Sequence, residues 1–354
     1  MRSQDLHKHE FGPSLRAVGR AGAGVNNIPV PALSKRGIPV FNAPGANANA
    51  VKELVLAGML MAARNLPPAL EFVSQQKGSS ELDKKIESGK KEFAGFELPG
   101  HTLGVIGLGK IGSLVADAAI RLGMNVLGHD PHITVEAAWS LPSQVRRAAS
   151  IDDLLKASHF VSLHVPLIEK TRNMVNAKNV EHMRPGAVLL NFSREAVVDD
   201  DAVKKALASG RLKWYVTDFP SPALIHAQGV IALPHLGAST GEAEDNSAVM
   251  VVDQLRVGEV DRVLQVAVLE VLAQLPREAP YRLAIANANV PDMLGRISHC
   301  LGKRKINIHN MLNKSKGEMA YTLVDTDSPV PAPALEELSG LSGVLTVRYL
   351  PVHG

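Results

Sequence analysis

The sequence predicts a doubly wound α/β fold, and two features of the chain indicate it. Between residues 100 and 237, short apolar runs rich in branched residues alternate with segments of helical periodicity. A glycine-rich turn, Gly107-Leu108-Gly109-Lys110-Ile111-Gly112, joins the first run to the first helical segment. This alternation is typical of a parallel sheet with helices on both faces, whose ligands bind outside the carboxyl ends of the strands.

Each predicted strand is a short apolar run, and several of the runs are followed by a polar side chain. The predicted strands are residues 103–106, 125–127, 160–165, 187–192, 214–217 and 230–233. Segments 151–157 and 200–209 between them are predicted to be helices. The polar residues at the strand ends are Asp130, His164, Arg194, Asp218 and His235. Because the strands are predicted to be parallel, these five side chains are expected at one edge of the sheet.

The glycine turn predicts a dinucleotide-binding (Rossmann) domain rather than a purely structural turn, which is the alternative. The three glycines of such a turn allow a tight bend, close approach of a pyrophosphate, and close packing of helix on strand. Asp130 stands 130 − 112 = 18 residues past the last glycine, near the position where a carboxylate accepts hydrogen bonds from an adenosine ribose. A carboxylate there would repel a ribose 2′-phosphate, so NAD is the expected cofactor rather than NADP.

Three domains are predicted along the 354 residues. Residues 48–237 form the dinucleotide-binding domain, and residues 1–47 with 238–275 form a partial flavodoxin-like substrate domain, with strands at 15–18 and 38–41 and a helix at 240–257. In residues 280–354 the predicted order is βαββαβ, which is the ferredoxin-like arrangement.

Composition excludes several classes of protein. The net charge is 38 − 35 = +3 and no extended basic face is evident, so neither a nucleic-acid nor a membrane partner is predicted. Cys300 is the only cysteine, so an intrachain disulfide is impossible, and no metal-ligand spacing occurs. The longest apolar run, residues 54–63, is about half the length that spans a bilayer. The expected location is the cytoplasm.

Arg194 and His235 are the candidate catalytic pair. Each directly follows a predicted strand. When a hydride moves to or from nicotinamide, the substrate hydroxyl must lose or gain a proton and the substrate carboxylate must be held. Histidine is suited to proton transfer near neutral pH, and the arginine fork matches a carboxylate. Taken singly, a surface histidine and a salt-bridged arginine are the alternatives.

Together these motifs resemble the D-isomer-specific 2-hydroxyacid dehydrogenase family. The matching segments occur in family order over nearly the whole chain, and they are residues 20–27, 37–44, 107–112, 164–166 with Thr171, 191–194 and 234–240. The C-terminal segment is similar to the ACT regulatory domain that such enzymes often carry. The resemblance also places Arg2-Ser3 in the middle of the family's substrate domain, so the opening elements of that domain are expected to be missing.

The resemblance implies a role for each matched residue. Arg194 would hold the substrate carboxylate and polarise the carbonyl, and His235 would exchange a proton with the substrate oxygen. The implied cofactor contacts are Gly107, Gly109, Lys110, Ile111 and Gly112 near the pyrophosphate, Asp130 at the ribose, His164, Pro166 and Thr171 along the cleft, and Phe192, Ser193, Asp218, Gly237 and Ala238 on the nicotinamide side.

The substrate implied by the resemblance is a phosphorylated 2-hydroxy acid. Arg2, Ser3 and Asn47 match positions that hold the substrate in members acting on phosphoglycerate, and Lys90 or Lys91 could bind its phosphate unless they are merely exposed lysines. The expected reaction is the NAD-dependent oxidation of 3-phospho-D-glycerate to 3-phosphohydroxypyruvate, an oxidoreductase step that begins serine biosynthesis. The alternatives are reduction of hydroxypyruvate or 2-oxoglutarate, and a non-catalytic NAD-binding sensor or scaffold.

One departure from the family concerns the catalytic histidine. Members carry a glutamate that orients it, a few residues past the aspartate of the matching motif, whereas residues 218–222 here have no carboxylate beyond Asp218. Glu242 or Glu244 could substitute.

Regulation and assembly are also implied by the resemblance. Asn289 matches an effector ligand of ACT domains, and Asn287 occupies a position where some relatives have histidine. Serine is therefore a candidate effector, and a dimerising sheet without an effector is the alternative. A homodimer or higher homo-oligomer is expected.

Overall fold

The structure, a computed structural model, describes residues 4–260, 264–266, 271–273 and 278–351. These residues fall into two compact units. One unit is Asn47–Ala243, and the other is Met1–Ala46 together with Glu244–Gly354. Among the described residues, none of the helices combines the length and apolar character needed to cross a bilayer.

The elements are numbered in chain order. The first three are β1 (Val18–Arg20), α1 (Val30–Lys35) and β2 (Val40–Asn42). The Asn47–Ala243 unit then contains α2 (Ala48–Ala63), α3 (Leu66–Gln75), α4 (Leu82–Gly89), β3 (Thr102–Ile106), α5 (Lys110–Arg121), β4 (Asn125–His129), α6 (Val135–Trp139), β5 (Arg146–Arg147), α7 (Ile151–Ala157), β6 (Phe160–Leu163), β7 (Ala187–Asn191), α8 (Asp200–Ala208), β8 (Leu212–Thr217) and β9 (Val230–Ala232). The remaining elements are α9 (Gly241–Val260), β10 (Leu264–Val266), β11 (Val271–Ala273), β12 (Tyr281–Ala288), α10 (Met293–Lys303), β13 (Ile308–Lys316), β14 (Met319–Thr326), α11 (Ala332–Ser339) and β15 (Val344–Pro351).

The predicted doubly wound parallel sheet is confirmed. Within the described residues of this unit the strand order is β5-β4-β3-β6-β7-β8-β9, and the paired strands are parallel throughout. The six predicted strands lie within a few residues of β3, β4, β6, β7, β8 and β9. Successive strands are added outward in opposite directions from β3 and β6, which creates a crevice at the carboxyl ends of these two strands.

Two helices show why this sequence forms this sheet. In α5 the buried residues are Gly112, Val115, Ala116 and Ala119, the i, i+3, i+4, i+7 pattern of a helix with one face on a sheet. Helix α2 packs close to the sheet at Gly58, where an added Cβ would lie about 3 Å from side chains of Val216 and Phe192 (3.0 and 3.1 Å). Apolar side chains on both faces of the sheet therefore form buried cores.

In the other unit, the predicted βαββαβ order is confirmed over residues 281–351. The strands form an antiparallel sheet in the order β13-β14-β12-β15. Its helix-covered face buries Leu283 and Ile297. The opposite face packs against Phe41 of β2 and Val251 of α9. On that face Arg282 makes two hydrogen bonds to the Asp325 carboxylate, at 2.5 and 2.7 Å.

The first strand lies later in the chain than predicted. The sequence predicts residues 15–18, whereas the structure has Val18–Arg20 paired in parallel with Val40–Asn42. The difference has a packing cause. Glycine normally weakens a strand, but a Cβ at Gly19 would lie 2.7 Å from the Leu255 Cδ1 of α9, so glycine lets helix and strand lie close without moving that side chain.

Candidate active site

The three glycines of the turn after β3 have different surroundings. Gly107 has a φ of +90°, and a Cβ there would lie 2.5 Å from the carbonyl oxygen of His164. A Cβ at Gly112 would lie 1.9 Å from the carbonyl oxygen of Gly107. At Gly109, by contrast, no atom lies within 4 Å of an added Cβ. Packing therefore requires glycine at two of these positions, while the third borders open space at the amino terminus of α5.

Asp130 connects the end of β4 to the glycine turn. Its Oδ2 accepts a hydrogen bond from the Leu108 N–H at 2.9 Å, and its Oδ1 accepts one from the His132 N–H at 2.9 Å. A carboxylate has about four acceptor positions, so each oxygen can accept one bond more. Lys110 is exposed and Ile111 is half-buried in the first turn of α5.

His164 follows β6 on the other side of the crevice. Its Nε2 lies 2.8 Å from the Ser162 hydroxyl, and its Nδ1 is buried without a hydrogen-bond partner in the described structure. Burial lowers the pKa of His164 to about 4. The His164 ring is therefore neutral at physiological pH.

Further along this loop the Thr171 hydroxyl donates to the Pro166 carbonyl oxygen at 2.5 Å and accepts from the Ile168 N–H at 2.9 Å.

The neutral state of His164 predicts that stability depends on pH. Because its folded-state pKa is about 4 and an unfolded histidine titrates near 6.5, only the unfolded state binds this proton in between. The contribution of His164 to the free energy of unfolding amounts to up to about 3 kcal/mol. It is fully present above pH ~6.5 and is lost as the pH falls towards 4. Denaturant unfolding at pH 4.5 and 7.5 measures it. The difference should be smaller in His164→Asn, and an equal difference in both proteins would contradict the prediction.

Asn191, at the end of β7, organises the turn that carries Arg194. Its Oδ1 accepts hydrogen bonds from the Ser193 N–H and hydroxyl, at 3.2 and 2.8 Å. Its Nδ2 donates to the Arg194 carbonyl oxygen at 2.9 Å and to the Tyr215 hydroxyl at 3.3 Å. The Asn191 side chain is fully buried. Sequence analysis did not single it out, although it begins the matched segment 191–194.

Asp218, at the end of β8, is a buried carboxylate with one unpaired oxygen. Its Oδ2 accepts from the Gly237 N–H at 3.0 Å, and its Oδ1 is buried with no partner among the described residues. Burial raises the pKa of Asp218, while the Gly237 N–H and the charges of His235 and Arg194 act in the opposite direction. A buried acceptor without a donor is costly, so a ligand N–H or O–H that reached this oxygen would remove that cost.

Phe219 lies beside both candidate catalytic residues. Its ring centroid is 4.5 Å from that of His235, with the planes inclined at 45°, and the guanidinium carbon of Arg194 is 5.8 Å from the same centroid. Within the Asn47–Ala243 unit, no described residue hydrogen bonds to either ring nitrogen of His235. Glu242 is exposed. Phe219 is not among the residues predicted from the sequence, where its one signal is its position directly after Asp218.

The model of the D-isomer specific 2-hydroxyacid dehydrogenase NAD binding domain matches residues 56–237. This chain belongs to that family. D-3-phosphoglycerate dehydrogenase of Methanocaldococcus jannaschii is 38% identical over 253 residues, which cover 70% of this chain and 46% of that protein. The enzyme of the same name from Haemophilus influenzae is 31% identical over 353 residues, covering 96% and 82%.

The fold is also found among solved structures of the family. D-lactate dehydrogenase of Aquifex aeolicus, in complex with NAD and lactic acid, superposes with a TM-score of 0.58 at 26% identity, covering 70% of this chain and 77% of that chain. The chain spans less than half the length of the first curated relatives that it matches, at 46% and 43%.

The residues of this dehydrogenase-family domain fit an NAD molecule. The space at Gly109 lies at the amino terminus of α5, where backbone N–H groups favour phosphate. Asp130 retains acceptor positions for ribose hydroxyls. The unpaired Oδ1 of Asp218 could accept a hydrogen bond from the nicotinamide amide. Ser193 and Gly237 are buried at the same strand ends, and Ala238 is half-buried.

The remaining candidate residues are not grouped with those that fit NAD. The Phe192 ring is buried against Gly58 of α2 and is therefore part of the core. Asn47 immediately precedes α2 and is half-buried. Lys90 is exposed and forms an ion pair with Glu87. Arg2 and Ser3 lie outside the described residues.

The candidate effector residues lie on and just after β12. Asn287 is buried, and its amide donates to the Ala288 carbonyl oxygen and accepts from the Thr322 hydroxyl, at 2.9 Å in each case. Asn289 is exposed and donates to the Gly317 carbonyl oxygen at 2.9 Å. The Asn287 amide is therefore occupied within the sheet, whereas Asn289 remains accessible.

Proposed function

We propose that this chain oxidises 3-phospho-D-glycerate to 3-phosphohydroxypyruvate, the first step of serine biosynthesis, with NAD as hydride acceptor. The observation that carries the proposal is that Arg194 and His235 both lie beside the ring of Phe219, at 5.8 and 4.5 Å from its centroid. They follow strands of the same parallel sheet as the glycine turn. The near-full-length match to a D-3-phosphoglycerate dehydrogenase supports the choice of substrate.

In the proposed reaction each side chain has one task. Arg194 holds the substrate carboxylate through its planar fork and keeps C2 in place. Neutral His235 accepts the C2 hydroxyl proton as the O–H bond breaks and the C2–O double bond forms. NAD, when bound, supplies the acceptor for the hydride that leaves C2. The products are the ketone, NADH and protonated His235, so atoms and charge balance.

The charge of the site suits this proton transfer. Asp218 is buried beside the pair. Burial raises the pKa of Asp218, and the electrostatic interaction with His235 acts against burial and lowers that pKa. The same attraction stabilises the imidazolium that forms on His235. The Arg194 guanidinium donates through Nη1 to the Ser193 carbonyl oxygen and lies over the Phe219 ring, and among the described residues it forms no ion pair with a carboxylate.

The test is NADH formation from 3-phosphoglycerate at alkaline pH, with glycerate as the unphosphorylated control. We expect turnover of the phosphorylated acid and little of the control. Reduction of hydroxypyruvate or 2-oxoglutarate without oxidation of 3-phosphoglycerate would show that the substrate is wrong. NADH binding with no turnover of any 2-oxo acid would favour the non-catalytic sensor.

We propose that the chain assembles as a homodimer through the Asn47–Ala243 unit. Helix α3 has no buried residue within the chain, and it exposes Leu66, Leu70 and Val73. Leu70 is 68% exposed, and a patch of this kind is typical of an interface. Light scattering is expected to give about twice the chain mass of 37.8 kDa. Leu70→Glu should shift the species towards monomer, and a monomeric parent protein would contradict the proposal.

We propose further that serine, if it regulates this enzyme, acts through Asn289 rather than Asn287. Exposure of the Asn289 side chain supports this, because the Asn287 amide is already paired inside the sheet. Inhibition of the 3-phosphoglycerate reaction by serine, reduced in Asn289→Ala, is the expected result. An absence of any serine effect would leave the C-terminal sheet with a purely structural role.

A further inference from the structure

We propose that the Phe219 ring is the positioning group of the catalytic pair, setting the orientation of His235 and its spacing from Arg194. A histidine that moves a proton must be held in one orientation. In the described part of its unit, His235 has no hydrogen bond at either ring nitrogen, and its ring centroid lies 4.5 Å from that of Phe219. The proposal rests on the proposed function.

The backbone of Phe219 is fixed by the two strands that carry the site. Its N–H donates to the Thr217 hydroxyl at 3.0 Å, and that hydroxyl donates to the Asn191 carbonyl oxygen at 2.9 Å. Thr217 and Asn191 are both buried at the ends of β8 and β7. Phe219 is therefore tied to the same residue, Asn191, that organises the Arg194 turn.

An aromatic ring suits this position electrostatically. The negative face of a phenyl ring attracts a guanidinium, and it would also attract the imidazolium that forms when His235 accepts a proton. A carboxylate in the same place would pair directly with Arg194 and compete with the substrate carboxylate. The ring orients both groups without occupying the arginine fork. Among the described residues, Arg194 and His235 lie beside this ring, and both interact electrostatically with the Asp218 carboxylate.

The experiment compares Phe219→Leu, which keeps an apolar side chain of similar size, with Phe219→Tyr, which keeps the ring. In Phe219→Leu we expect kcat for 3-phosphoglycerate to fall about tenfold, since loosened acid–base groups lose part of their 100- to 10,000-fold contribution. The acidic limb of the pH–rate profile should move about half a unit lower, because the imidazolium loses its cation–π contact. Phe219→Tyr should remain within about twofold of the parent.

NADH affinity and thermal unfolding of both variants should match the parent, which separates positioning from a general structural effect. Wild-type kcat and pH profile in Phe219→Leu would overturn the proposal. An equal loss in the leucine and tyrosine variants would overturn it too, because shape rather than the ring would then matter.

A spectroscopic measurement keeps this test separate from the proposed function. The His235 ring protons, assigned by their absence in His235→Asn, should show a ring-current shift in the parent and in Phe219→Tyr but not in Phe219→Leu. If the protein turns over no 2-hydroxy acid, the proposed function fails. The ring-current shift still shows whether the Phe219 ring lies against His235. An unchanged His235 resonance in Phe219→Leu would overturn the inference even in an active enzyme.

Discussion

Replacing His235 by asparagine is expected to lower kcat for the oxidation of 3-phosphoglycerate by about 100- to 10,000-fold. The loss follows because the proposed reaction assigns the hydroxyl proton to His235. Arg194 is always protonated, and the Asp218 carboxylate is buried, with its Oδ2 already bonded to the Gly237 N–H. Steady-state kinetics with NADH binding by fluorescence measures both quantities, and NADH affinity is expected to stay within about twofold.

The matched control for this change is His226→Asn. His226 is an exposed histidine in the same unit, so it reports the effect of the substitution away from the site, and we expect parental kinetics. A His235→Asn protein that retained more than about a tenth of the parental kcat would show that another group moves the proton. The catalytic assignment of His235 would then be wrong.

Two alanine substitutions in the glycine turn are expected to affect different properties: one lowers stability, and the other weakens NADH binding. Gly112→Ala places a Cβ 1.9 Å from the Gly107 carbonyl oxygen, and since the conflict is with backbone, it should cost about 3 kcal/mol or more of unfolding free energy. Gly109→Ala places a Cβ in open space, so stability should change by less than about 1 kcal/mol, the cost of alanine at a helix N-cap. The same Cβ should weaken NADH binding at least tenfold if the cofactor phosphates lie against the backbone at this helix N-terminus, as we propose.

Denaturant unfolding and NADH titration of both variants separate these effects. Stable, NADH-binding Gly112→Ala would mean that α5 does not lie as close to the turn as the structure has it. Unaltered NADH affinity in Gly109→Ala would mean that the open space at the amino terminus of α5 does not hold the cofactor.

The fold could be predicted because its determinants are local and periodic. The strands are uninterrupted apolar runs, and the buried face of α5 repeats with helical spacing at Gly112, Val115, Ala116 and Ala119. Such patterns can be recognised in the sequence without knowing which side chains pack together. The shifted first strand shows the limit, because Gly19 makes sense only once Leu255, more than 200 positions away, is seen to pack against it.

The site could be predicted only where residue type reveals chemistry. Arg194, His235 and Asp218 each have a functional group that suggests a task, and all three lie at the carboxyl edge of the sheet. Phe219 and Asn191 have no such signature. An aromatic residue is usually part of a core, and a buried asparagine usually closes a turn. Their importance depends on centroid distances and hydrogen bonds between neighbouring strand ends, which only the folded chain determines.

The unpaired Oδ1 of Asp218 has a consequence for which small molecules this domain selects. Any occupant that buries this oxygen without offering it a donor leaves the cost of a bare acceptor in place, whereas one with an amide N–H removes that cost. Adenylates such as ATP and ADP-ribose share the half of NAD that the glycine turn and Asp130 would hold, but they lack the amide. A single carboxylate oxygen would in this way favour NAD over ATP or ADP-ribose at this site.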